Sequence, residues 1–184
     1  MKAIFGQYYF WRNTLHRWFG LCIAKSPDYG KETDDATTAA LKSLTDHILV
    51  DVVSHFDMYK EFLDDIQVDT KSLVPNPITT EYNDSFFIRF RDRSFEEATS
   101  ALAGRELLSS IRSNIISESL INQYNFNKVK FWRAHEEPEE EHFRSMWNAL
   151  TQSYTNFEDL EKAAREEISE HVRYWVAFTV LKTD

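Results

Sequence analysis

Between Phe131 and Trp147 the sequence reads FWRAHEEPEEEHFRSMW. On a 3.6-residue repeat, His135, Glu139 and His142 fall in line with Phe131 and Met146. Three other segments show the same mixture. Asp51 and His55, four apart, share a row with Ile48, Tyr59 and Phe62. Glu106 follows Phe95, Ala98 and Leu102, with Ser109 and Ser113 beyond it. Glu167 and His171 lie in the row of Leu160, Ala164, Tyr174 and Phe178. An acid on an inward-facing row costs several kcal/mol unless it is paired or metal-bound. Any one of these residues alone reads as a core group with a hydrogen-bond partner. Eight of them on four helices read as a metal site. An acid and an imidazole four apart stack on one helix face, and a set of carboxylates and imidazoles without cysteine suits iron or manganese. The competing account is a salt-bridge network, which requires buried arginine or lysine among the acids. Arg105 and Arg165 are close in sequence and are expected to point elsewhere.

These side chains need long helices to carry them. Gly and Pro number four each, so breakers are scarce and the composition predicts mostly helix. The pattern predicts a first helix over 3–25, a loop over 26–35, and a second helix over 35–66. Residues 67–93 are less regular, and SFFIRFR (85–91) is readable as helix or strand. A third helix starts at Ser94, where Ser94-Phe95-Glu96-Glu97 forms a capping box, and runs to about residue 123. A fourth covers 127–154. The last starts after Asn156, with Glu158 and Asp159 in its first turn, and runs to about residue 181. Pro138 interrupts the fourth: the helix kinks after His135, or restarts with Pro138 in its first turn.

The chain has 184 residues, 42% hydrophobic and 28% charged. That suits one helical domain spanning 1–184 with a sizeable core. A net charge of −9 repels phosphate backbones and argues against nucleic acid as a partner. No segment has the apolar length of a membrane span, and the N-terminus lacks a signal-peptide pattern. The single cysteine, Cys22, reads as a buried apolar residue. A reducing, cytoplasmic location is expected.

Glu139-x-x-His142 is half of the ferritin-like di-iron signature. A second Glu-x-x-His is missing, and Glu167-x-x-x-His171 stands in its place. From Ser94 to Phe178 the chain instead resembles the heme-oxygenase-like fold, shared by TenA-type thiaminases, the pyrroloquinoline-quinone synthase group and heme-oxygenase-like di-iron oxidases. The resemblance is carried by Glu106 in ALAGRELL (101–108), by FWRAHEEPEEEHF (131–143) and by HVRYW (171–175). TenA-type enzymes use a cysteine nucleophile in the central helices, and Cys22 is misplaced for that role. Heme oxygenases need a proximal histidine on the first helix, where only His16 is a candidate. The resemblance to the di-iron oxidases implies Asp51 and His55 as the first ligand set, Glu106 as the middle and often bridging one, and His135, Glu139 and His142 as the later set. Glu167 and His171 are an alternative pair. The later acid is Glu where that group has Asp.

What this implies is an all-α, heme-oxygenase-like oxidase or oxygenase that binds two Fe(II) ions and uses O2 as co-substrate on a small organic molecule such as an amino acid or fatty acid. Glu106 and Glu139 are the expected catalytic carboxylates. Tyr59, Trp132, Tyr174 and Trp175 are candidate pocket residues, with ordinary core as the alternative for most. A homodimer is compatible with this reading. Two other functions stay open: a metal-free enzyme of the same fold that binds a quinone-like or heterocyclic cofactor, with histidines as acid–base groups, and a non-enzymatic acidic helical protein that binds another protein.

Overall fold

A computed structural model of the chain describes residues 2–27 and 35–180, apart from the side chains of 51–53, 137–139, 153 and 179–180. The first aromatic segment forms two helices, α1 (Lys2–Arg12) and α2 (Leu15–Ala24), where the sequence pattern predicts one. The break falls at Asn13-Thr14. The Thr14 hydroxyl donates to Trp11 O at 2.8 Å, and its backbone N–H bonds the same carbonyl at 3.0 Å. This local bonding competes with the helical ladder.

The second helix spans the predicted range in three pieces. α3 (Asp35–Ile48) runs into a π-helical segment (Leu49–His55), which continues as α4 (Phe56–Asp65). The ambiguous stretch resolves as helix: α5 (Pro77–Asp92) starts well before SFFIRFR, with Asn76 Oδ1 accepting from Thr79 N at 2.8 Å and Pro77 opening the first turn. Its inward face stacks Phe86 on Phe90, with ring centroids 4.3 Å apart.

α6 (Phe95–Tyr124) begins with the expected capping box: Ser94 Oγ accepts from Glu97 N, and Glu97 accepts from Ser94 N. It ends at Asn125 in the left-handed region (φ 51°). Every residue from Ala98 to Glu106 is buried, as expected of a helix covered on all sides. Small residues allow that covering. A Cβ at Gly104 would lie 3.0 Å from the Ala164 Cβ and carbonyl oxygen of the last helix.

The fourth predicted helix is divided. α7 (Lys130–Arg133) stops, and α8 (Glu137–Ser153) restarts with Pro138 in its first turn, the second of the two geometries Pro138 permits. α9 (Phe157–Val180) runs parallel to α6, as the pairs Ser100–Leu160 and Arg112–His171 show, and antiparallel to α5, through Arg89–Glu167 and Tyr82–His171. α6 packs mainly against α9 and α8, and α3 against α8. Among the described residues, no helix is long and apolar enough to cross a membrane.

Candidate functional site

α3 with its π continuation and the α7–α8 pair cross antiparallel and meet in two imidazole pairs. At one end, His47 and His142 have ring centroids 4.2 Å apart. About two turns away on each strand of the pair, His55 and His135 approach to 4.3 Å. In an α-helix, residues eight apart overshoot two turns by about 80°. The wider π turn between His47 and His55 advances less per residue and recovers much of that overshoot, so His47 meets His142 of α8 and His55 meets His135 of the α7–α8 turn.

α6 supplies the acid. Glu106 is fully buried, and its Oε2 lies 3.3 Å from His47 Nε2. His47, His55 and His135 are buried too, and His142 is half-buried. The Nδ1 of His135 bonds the Phe131 carbonyl at 2.6 Å. Nδ1–H is therefore the donor, and Nε2 carries the lone pair, the orientation typical of a metal-binding imidazole. Two serines of α6 brace the α7–α8 junction: Ser110 Oγ donates to Glu136 O, and Ser117 Oγ donates to Glu136 Oε1 at 2.6 Å. A groove of about 460 Å³ between α3 and α8, flanked by Lys42, Asp46 and Glu141, reaches His47 and His142.

Four expected residues, His55, Glu106, His135 and His142, thus lie at these corners. The side chains of Asp51 and Glu139 are outside the described residues. No group of three or more His, Cys, Asp or Glu among the described residues is arranged around a common metal position. His47 went unrecognised in the sequence. The available signal was its step of four to Asp51 and eight to His55, hidden because Leu44 and Ile48 define the apolar row around it.

Three expectations need correction. Arg105 does not point away. It is buried, pairs with Glu106 Oε1 and lies with its guanidinium carbon 4.7 Å from the centroid of the Trp11 ring. A helix buried on all sides has no outward direction to offer. Arg165, by contrast, is exposed on Glu161. Second, Glu167 and His171 do not join the imidazole pairs. Glu167 binds Arg89 and Arg93, at 3.2 and 3.5 Å, and its burial raises its pKa against the pull of both arginines. His171 lies between Tyr82 Oη and Arg112 Nη1, each at 2.6 Å, and accepts the Trp175 indole N–H at 3.1 Å. Burial first, then Arg112 and Arg105, depress its pKa well below the ordinary value, so the ring is neutral.

Third, the aromatic candidates do not share one pocket. Tyr59 and Trp132 are fully buried in packed core, where Tyr59 Oη donates to Phe5 O at 2.6 Å. Tyr174 lines an outer cleft of about 220 Å³ with Tyr82, Ile78 and Arg173. Trp175 covers Arg112.

No protein-family model matches the sequence, and no curated protein matches it either. Solved structures do. A CADD-like protein of unknown function from Nostoc punctiforme superposes with a TM-score of 0.74 at 17% identity, over 95% of this chain and 80% of that one. A TenA homologue from Pyrococcus furiosus gives 0.70 at 15% identity, over 95% and 81%. A domain of unknown function from Shewanella denitrificans, described as having a heme oxygenase-like fold, gives 0.69 at 14% identity, over 100% and 82%. The chain therefore has the all-α, heme-oxygenase-like fold.

Proposed function

We propose that the chain is an O2-dependent nonheme di-iron oxidase or oxygenase acting on a small organic substrate. The observation that carries this reading is the pairing of four imidazoles, three of them buried and His142 half-buried, into two corners, one of which includes Glu106. The donor types fit ferrous iron, and so does the His135 tautomer. The holding residues would be His47, His55, Glu106, His135 and His142. Asp51 lies midway in sequence between His47 and His55, and Glu139 lies between His135 and His142. Bound iron would supply the electrons that reduce O2. The protein's own part is to orient the imidazoles, as the Phe131 carbonyl does for His135, and to hold the carboxylate of Glu106 away from bulk water.

One observation favours a second reading. The Arg105–Glu106–His47 contacts already form a paired network, which serves equally in a metal-free enzyme of the same fold. Elemental analysis separates the two. Protein from iron-supplemented cells, or loaded anaerobically with ferrous ion, is expected to hold about two irons per chain. It should gain thermal stability on loading and develop a visible absorption band when O2 is added. His47→Ala, Glu106→Ala and His142→Ala should each lose iron. Wild-type protein that stays metal-free after anaerobic loading would eliminate the di-iron assignment and leave the network reading.

A further inference from the structure

Arg112 is a guanidinium held on every side except where its charge calls for an anion. It lies between α1, α6 and α9, with its guanidinium carbon 5.0 Å from the Tyr8 ring centroid and 5.4 Å from that of Trp175. Nη1 approaches His171 Nε2 at 2.6 Å, and Nη2 donates to Ser109 Oγ at 2.8 Å. His171 Nε2 also accepts the Trp175 N–H. A nitrogen facing two donors must carry the lone pair, so Nδ1–H points to Tyr82 Oη and the imidazole is neutral. The Arg112 charge therefore meets two rings, a hydroxyl and a neutral ring, and among the described residues no carboxylate lies within hydrogen-bonding distance of it. Arg89, Arg93 and Arg105 differ, since each pairs with Glu166, Glu167 or Glu106.

Two of the five guanidinium hydrogens are used, and Nε is buried with no hydrogen-bond partner among the described protein atoms. The same holds nearby. Tyr8 Oη and Trp132 Nε1, on rings 6.3 Å apart, are buried without a partner, as is the hydroxyl of Ser113, the residue after Arg112. Indole and guanidinium groups only donate, and the two hydroxyls can also do so. A cluster rich in donors and poor in acceptors matches a group that only accepts, and an ionised carboxylate is that group. The flanking aromatic faces suit an apolar body behind it.

We propose that Arg112 anchors the carboxylate of the substrate, pairing through its Nε edge with an aromatic or aliphatic carboxylic acid. As the substrate subsite of an oxidase this rests on the di-iron reading; carboxylate binding itself does not. The test uses full-length protein stripped with a chelator and titrated by tryptophan fluorescence, since Trp175 and Trp132 flank the site. The probes are phenylacetate and hexanoate, with phenylacetamide, hexanamide and inorganic phosphate as controls. The acids should give a saturable change, and the amides should bind about tenfold more weakly or worse. Arg112→Gln should lose at least as much affinity, and Arg112→Lys should fall between, with unchanged circular dichroism in both. Should Arg112→Gln fail to fold, the acid–amide comparison on wild type and Arg112→Lys decide. Equal binding of acid and amide overturns the proposal, as does equal binding of phosphate or unaltered binding in the variants. Absence of saturation with any acid also overturns it, and means that internal water alone serves these donors. Iron content measured on the same Arg112→Lys protein separates failure of this subsite from failure of the metal reading.

Discussion

His171 gives this protein a specific acid sensitivity. Its ring is neutral in the folded state because burial, Arg112 and Arg105 all oppose the imidazolium. In the unfolded chain it titrates near its ordinary value of 6.5. The folded value is the lower one, so the unfolded state binds the extra proton. The contribution of this residue is therefore intact above pH 6.5 and is lost as pH falls below it, until the folded value is reached. One unit below the unfolded value the loss is about 1.4 kcal/mol, and each further unit adds about the same while the ring stays neutral. Glu167 works in the opposite sense. Its raised folded pKa makes stability decline as pH climbs above its ordinary 4.5. Comparing wild type with His171→Gln cancels that shared background, and the glutamine oxygen can still accept from Arg112. Urea unfolding of both proteins between pH 7.5 and 5.5 should show the wild type losing about 1.4 kcal/mol more than the variant across the range. Parallel curves would refute the neutral, doubly accepting imidazole and the hydrogen-bond directions assigned around Arg112.

Gly104→Val places side-chain atoms against Ala164, where even a Cβ would sit at 3.0 Å. It should cost about 2 kcal/mol or more, read as a lower urea midpoint with an unchanged slope. Cys22 is buried and its thiol pKa is pushed far up by burial. A thiol reagent should leave it untouched in the native protein and label it fully in denaturant. Arg105→Met removes the cation beside Glu106, so the metal-free variant should lose about 3–5 kcal/mol, and ferrous ion should restore much of that loss. A destabilised Arg105→Met protein that ferrous ion does not rescue would assign Glu106 to the salt-bridge network alone.

Much of the helix plan follows from local chemistry and was legible for that reason. Ser94 and Glu97 specify the start of α6 within three residues, and Pro138 allows only a kink or a restart. The inward rows placed His55, Glu106 and His135 in the interior, where the structure has them. Other features depend on partners distant in sequence. The Asn13-Thr14 break relies on a hydroxyl choosing Trp11 O over solvent. The π segment over Leu49–His55 has no residue signature at all, yet it brings His47 into line with His55. Periodicity treats a helix as having an inside and an outside, and that assumption fails for α6. With the whole stretch from Ala98 to Glu106 buried, neighbouring residues of opposite charge both face protein, so Arg105 could not be sent to water. The row containing Glu167 and His171 did face inward, but a row says nothing about which neighbour it meets. Here it meets Arg89, Arg93 and Arg112.

These arginines divide the interior by charge. On the side of α3 and α8, α6 presents Glu106 to imidazoles. Toward α5 and α9 it presents Arg112 to a neutral histidine, while Arg89 and Arg93 hold Glu167. Arg105 joins the two halves, lying against Trp11 and bonded to Glu106. Arg89, Arg93 and Arg105 each have a carboxylate partner, whereas Arg112 has none among the described residues, and an unbalanced charge in low dielectric calls for its complement. The two proposals above, a cation among the imidazoles and Glu106 and an anion on Arg112, would supply such complements. Glu106 and Arg112 are six residues apart on α6 and turn to different neighbours, His47 of α3 for the first and His171 of α9 for the second. A bound carboxylate would balance Arg112 while iron takes over the carboxylate that Arg105 otherwise holds, so occupancy of one half should favour occupancy of the other.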